Sequence, residues 1–172
     1  MTALGLAVLL VAAPLSRTAN RPEGVVTAVY RVCLRDQVSG LPSERQMKEL
    51  APFLSARLLE LFEEARRYQA EYEKENPDYK PPFADGDLFS SLFEGPSTFA
   101  VGPVETLADG RTQVTVEFSR VDPAAEGGAI RWKDAVLLVR EKDRFVVDDV
   151  LFLGNWAFKS GDRLTTVLRA RE

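Results

Sequence analysis

The sequence contains no histidine and a single cysteine, Cys33. The first absence removes Ser-His-Asp and Cys-His catalysis, zinc held by imidazole, and any pH switch built on histidine. The second removes intrachain disulfides and thiolate metal cages; it says little about redox compartment, because cysteine-poor chains persist in either. Basic runs are missing too. Arg66-Arg67 is the only adjacent basic pair and sits among Glu60, Glu63, Glu64 and Glu71, so it reads as one charge-paired helix face. With a formal net charge of −4, the chain is a poor electrostatic partner for nucleic acid, and none is expected.

Long hydrophobic runs are also scarce. Only Ala3 to Ala13 is free of charge and almost wholly apolar, and it is too short to span a bilayer as a helix. It suits the core of a signal peptide over residues 1–20, which predicts a periplasmic or secreted protein without membrane association once the leader is removed. No Lys or Arg precedes the run, and Pro14 follows the Val11-x-Ala13 spacing directly, so the cleavage site is not fixed. The remaining residues, 22–172, have the usual length of one domain and the ordinary composition of a globular protein. Such a domain needs neither metal nor disulfide to bury a core.

Pro22 and Glu23 suit the first turn of a helix, and Val26, Val29, Tyr30 and Cys33 follow at the spacing of one buried face. That helix is predicted to end near Gly40-Leu41-Pro42. Ser43 and Gln46 have capping-box spacing, and Pro52 forces a break before a longer helix over Ser55–Glu75. Leu58, Leu61, Phe62 and Ala65 form the stripe of this longer helix, with Tyr72 at its far end, and Asn76-Pro77 stops it. The connector 78–96 is rich in Pro and Gly but carries Phe83, Leu88, Phe89, Leu92 and Phe93. It reads as an ordered loop over one end of a sheet, with a helical turn at Asp87–Phe93.

Four strands follow. They are Phe99–Leu107, Gln113–Val121, Ile130–Glu141 and Arg144–Leu153, with hairpin turns at Asp109-Gly110 and Lys142-Asp143. Short connections make successive strands antiparallel neighbours. A loop covers Asp122–Ala129, and its tip Glu126-Gly127-Gly128 reads as flexible. Asp162 is expected to cap a last helix bearing Leu164, Val167 and Leu168. The fold class is therefore α+β, with N-terminal helices packed on an antiparallel sheet of about four strands.

This order of parts resembles the NTF2-like superfamily, in which a curved sheet wraps a long helix and leaves a conical pocket. Three segments are similar to an uncharacterised bacterial branch of exported proteins and lipoproteins: Pro82–Phe89, Phe145–Val150, and Gly154-Asn155-Trp156 before a Leu-rich helix. The resemblance covers about Pro22 to Arg169. It implies a single NTF2-like domain, export, and possible pairing of two copies. The lipid-attachment cysteine of lipoproteins has no counterpart here, since Cys33 lies well inside a helical pattern.

Candidate sites are few. Asp85-Gly86-Asp87 begins like a calcium loop, but the following slots do not supply the needed oxygens, so no metal or cofactor is expected. Asp87 reads instead as the cap of the turn after it, with Gly86 supplying an unusual backbone angle. Asp148-Asp149 interrupts an apolar strand, so strict alternation drives one acid toward a buried face unless a bulge re-aims it. That acid either locks helix to sheet through an arginine such as Arg31 or Arg120, or serves a pocket. The pocket reading joins Tyr30, Trp132, Asp148 and Asp149, as in isomerases whose Asp abstracts a proton and whose Tyr steadies an oxyanion. Trp156 reads as an anchor for the last loop.

Three functions are compatible with these features. They are a non-catalytic periplasmic binding or accessory module for an unknown protein or small ligand, an immunity-type inhibitor of a partner enzyme, and an Asp/Tyr-dependent isomerase or dehydratase.

Overall fold

The structure, a computed structural model, describes residues 21–171. The leader expected over residues 1–20 lies outside the described residues. Three helices precede the sheet: α1 (Pro22–Arg35), α2 (Glu44–Leu50) and α3 (Ala56–Glu75). The sheet is open, antiparallel and ordered β1-β2-β3-β4, with β1 at Thr98–Thr106, β2 at Thr112–Val121, β3 at Ala129–Glu141 and β4 at Arg144–Leu151. A short α4 (Leu164–Val167) closes the chain. The architecture is α+β with the helices leading, as the sequence predicts. Among the described residues, no helix is long and apolar enough to cross a membrane.

α1 stops earlier than expected, at Arg35, and ends without glycine. Gln37 takes a left-handed φ of 46°, and the Val38 amide donates to the Cys33 carbonyl at 3.0 Å. This is a Schellman closure, in which a backward bond caps orphan carbonyls and an apolar residue past the end packs against the last turn. Val38, buried at that position, is the apolar partner.

The capping box at Ser43 and Gln46 forms in both directions. Pro52 lies in a 3-10 turn over Ala51–Phe53, and Ser55 caps α3 through its hydroxyl on the Leu58 amide. Beyond Ala65 this helix carries no buried residue, and Tyr72 meets Tyr68 edge to face. Arg66 does not pair with the surrounding glutamates; it donates to the Pro42 carbonyl at 2.6 Å.

The edges of the sheet are managed differently. β1 slips register between Val101 and Val104, at Gly102-Pro103, and proline on an edge removes a donor that another strand would use. The free side of β4 is covered by the chain itself. Leu54 bridges Val147 in parallel, and Arg163 bridges Leu151 antiparallel. The turn at Lys142-Asp143 holds both residues at positive φ, the geometry that matches hairpin twist. The Asp122–Ala129 loop is closed by Asp122 N donating to Gly128 O at 3.1 Å.

The connector departs most from expectation. It forms no helix. Residues 87–92 are all buried and insert between the helices and the inner sheet face. Phe89 is fully buried, its ring stacked on Phe62 at 5.7 Å and its carbonyl accepting the Tyr30 hydroxyl at 2.8 Å. Phe93, expected to bury with its neighbours, stays half exposed.

Candidate functional site

The interior where a cone would open is occupied. Tyr30 packs on Phe99 and Phe118, with ring centroids 5.6 and 5.0 Å away, and Phe118 packs on Trp132 at 5.3 Å. From the other side, Leu88, Phe89 and Leu92 fill the space against Phe62. The Tyr30 hydroxyl is committed to a backbone carbonyl. Burial, with the negative charges of Asp134 and Asp87, holds it well above the usual phenol range, so it stays protonated.

The four residues singled out from the sequence do not converge. Tyr30 and Trp132 flank Phe118 at one end of the sheet. Asp149 pairs with Leu137, five residues along β3 from Trp132, a displacement of about 17 Å along the strand. The two acids belong to the other end, and each locks an element in place.

A β-bulge re-aims them. Leu137 pairs with Asp149 and Leu138 with Val147, so Asp148 is the extra residue. The bulge lets Phe145, Val147, Val150 and Phe152 all join the main core despite the odd count between them. Asp148 accepts from Ser55 Oγ at 2.7 Å and pairs with Arg57. Burial pushes its carboxyl up, but the Arg57 and Ser55 hydrogen bonds outweigh that and hold it below the ordinary range. Asp149 accepts from the Thr165 amide at 3.0 Å and the Thr165 hydroxyl at 2.8 Å, with Arg163 3.5 Å away.

Asp149 therefore serves the start of α4. The expected cap, Asp162, accepts from the Lys159 amide. The arginines are also not those foreseen: Arg57 and Arg163 take the acids, while Arg120 donates to the carbonyls of Glu94 and Gly95.

A third buried acid escaped the sequence reading. Asp134 is fully buried opposite Val116 on the inner face. It accepts from the Ser91 hydroxyl, from the Ser91 amide at 2.8 Å, from the Leu153 amide at 2.8 Å and from Trp132 Nε1 at 3.2 Å, with the Gly154 amide at 3.5 Å. Its signal was present in the alternation of β3, where Trp132, Asp134, Val136 and Leu138 share one face. Asp134 ties the connector to the segment after β4. The Trp156 ring then stands edge-on to Trp132 at 5.7 Å, half exposed.

Asp87 does cap, as expected, although no helix follows. Its Oδ1 accepts from the Phe89 amide at 2.6 Å and its Oδ2 from Ser90 Oγ at 2.9 Å. Burial raises its carboxyl to about 6, against the pull of these hydrogen bonds. The side chain sits at the wall of a cleft of about 740 Å³ between the end of α1, the connector and β2. Cys33, Val38, Phe93, Ser97 and Arg120 also line it. Cys33 is buried, and its thiol is pushed up by burial and by Asp87, which keeps it protonated and unreactive. The cleft is open, polar at its rim and apolar at Val38 and Phe93. That arrangement suits recognition of a ligand or a peptide edge. Among the described residues, no group of three or more Cys, Asp or Glu side chains is placed to hold a metal ion.

Comparison with protein-family models, with curated proteins and with solved structures finds no match to this chain.

Proposed function

We propose that this chain is an exported, non-catalytic binding or accessory module of NTF2-like build, working through the external cleft and not through an interior pocket. The observation that carries the reading is the insertion of residues 87–92 into the space between helices and sheet. The phenol and the aromatic rings that would line a cone are spent on packing and on a backbone carbonyl. The cleft beside α1, about 740 Å³, is left open, and its lining mixes apolar contacts with polar groups already fixed in place. A protein or small ligand recognised there would meet Phe93 first, a half-exposed aromatic of the kind that anchors interfaces.

Shift mapping of the chain by nitrogen–proton NMR against a panel of small ligands and peptides tests this. Binders are expected to move the amides of Gln37, Ser39, Phe93 and Arg120, and Phe93→Asp is expected to weaken them by about tenfold. Binders that move Tyr30 and Phe118 and leave the cleft untouched would contradict the reading. Export is tested separately by fractionating cells that carry the tagged chain. A mature protein lacking residues 1–20 outside the cytoplasm is expected, and a cytoplasmic protein retaining Met1 would refute export.

A further inference from the structure

Two buried carboxylates hang from adjacent residues of the connector insert. Asp87 holds Ser90, and Asp134 holds Ser91. Among the described residues neither makes an ion pair. The two are unequally solvated. Asp134 collects donors from Ser91, Leu153, Gly154 and Trp132, whereas Asp87 has the Phe89 amide and the Ser90 hydroxyl and amide. Two like charges in a low-dielectric interior repel, and the one with fewer donors takes the proton.

We infer that Asp87 and Asp134 carry one negative charge between them, and that placing a second charge on Asp87 loosens the connector lobe walling the cleft. The lobe, residues 87–95, is closed by Asp87 N on Phe93 O at 2.8 Å and Gly95 N on Leu92 O at 2.9 Å. Gly95, at φ +69°, packs against the carboxylate so closely that a Cβ there would lie 2.8 Å from Oδ2. A protonated Asp87 keeps both hydrogen bonds, because its hydroxyl donates to Ser90 Oγ while the other oxygen still accepts from Phe89. An ionised Asp87 keeps them at the cost of desolvation and of repulsion from Asp134, and opening the lobe to water relieves both.

Among the described residues, no cation pairs with Asp87. From α1, Cys33 and Tyr30 face the site as neutral groups. From β3 comes Asp134, a like charge. From β2, the Arg120 guanidinium lines the same cleft and is held by the Glu94 and Gly95 carbonyls, without an ion pair to Asp87. Glu94 of the connector adds a negative charge to the rim, where Asp85 is paired with Lys80. A chain without histidine thus holds a carboxyl that titrates at about pH 6. The inference concerns the lobe alone and holds whether or not the cleft binds a ligand.

The test is NMR on the full chain between pH 4.5 and 8, with amide exchange corrected for its intrinsic pH dependence. The Phe89 amide is expected to titrate with a midpoint near 6. Protection of the Asp87 and Gly95 amides is expected to fall by about tenfold above that midpoint. Asp87→Asn is expected to abolish both effects. Ser90→Ala, which removes a donor to the charged form, is expected to move the midpoint higher. A Phe89 amide titrating near pH 4, or Gly95 protection with the same pH profile in wild type and Asp87→Asn, would overturn the inference.

Discussion

Asp87, Asp134, Asp148 and Asp149 are all buried, and each answers the cost of burial differently. Asp148 and Asp149 meet arginines; Asp134 is wrapped in donors; Asp87 has neither a cation nor a full set of donors. The consequence is opposite pH slopes. The raised carboxyl of Asp87 binds its proton more tightly in the folded state. Its favourable contribution is therefore complete below the unfolded value of about 4 and is lost as pH rises to about 6. Asp148, held low, contributes stability above the unfolded value, and that part is lost on acidification. Urea unfolding of wild type against Asp87→Asn isolates the first effect. The wild type is expected to lose up to about 3 kcal/mol between pH 4 and 6 relative to the variant. Parallel curves over that range would mean that Asp87 titrates normally.

At the scale of elements, the connector insert and the β4 bulge determine how the layers meet. Phe89→Ala removes the ring stacked on Phe62 and is expected to cost about 3–5 kcal/mol by thermal or urea unfolding, the range for a large core aromatic. Tyr30→Phe is the milder probe, expected to cost about 1–3 kcal/mol because the buried Phe89 carbonyl loses its donor. Deleting Asp148 would remove the bulge but leave Val147, Asp149 and Val150 in plain alternation opposite Leu138, Leu137 and Val136, so Val150 and Phe152 keep facing the core; a cooperatively folded variant, less stable through loss of the Ser55 and Arg57 contacts, is expected by circular dichroism and calorimetry. Asp148→Ala, which keeps the register, is expected to fold with a loss of about 1–3 kcal/mol.

Much at this scale was legible in the sequence. The Ser43–Gln46 box, the Pro52 break, the Ser55 start and the four strands all follow from local chemistry. The end of α1 was not, because a Schellman closure on Gln37 uses no glycine. The partners of Asp148 and Asp149 were not, because Arg57 and Arg163 lie far away in sequence and are brought in by the covering of the β4 edge. Asp134 was hidden in an otherwise regular strand. The depth of the insert was not legible because composition identifies a proline-rich loop but not the space it fills.

For the whole molecule, a long helix and an open sheet leave a volume between them, and this chain fills it with its own connector. The insert is closed on itself by Asp87 on Ser90 and fastened to the body by the Tyr30 hydroxyl on Phe89 and by Asp134 on Ser91, and the cleft beside α1 faces outward. Xenon pressurisation of wild-type crystals measures this most directly, since xenon enters apolar voids and ignores packed interiors. No xenon site is expected among Tyr30, Phe62, Phe89 and Phe118, whereas Phe89→Ala crystals are expected to hold one there. A wild-type xenon site at that position would show an open cone and contradict the account.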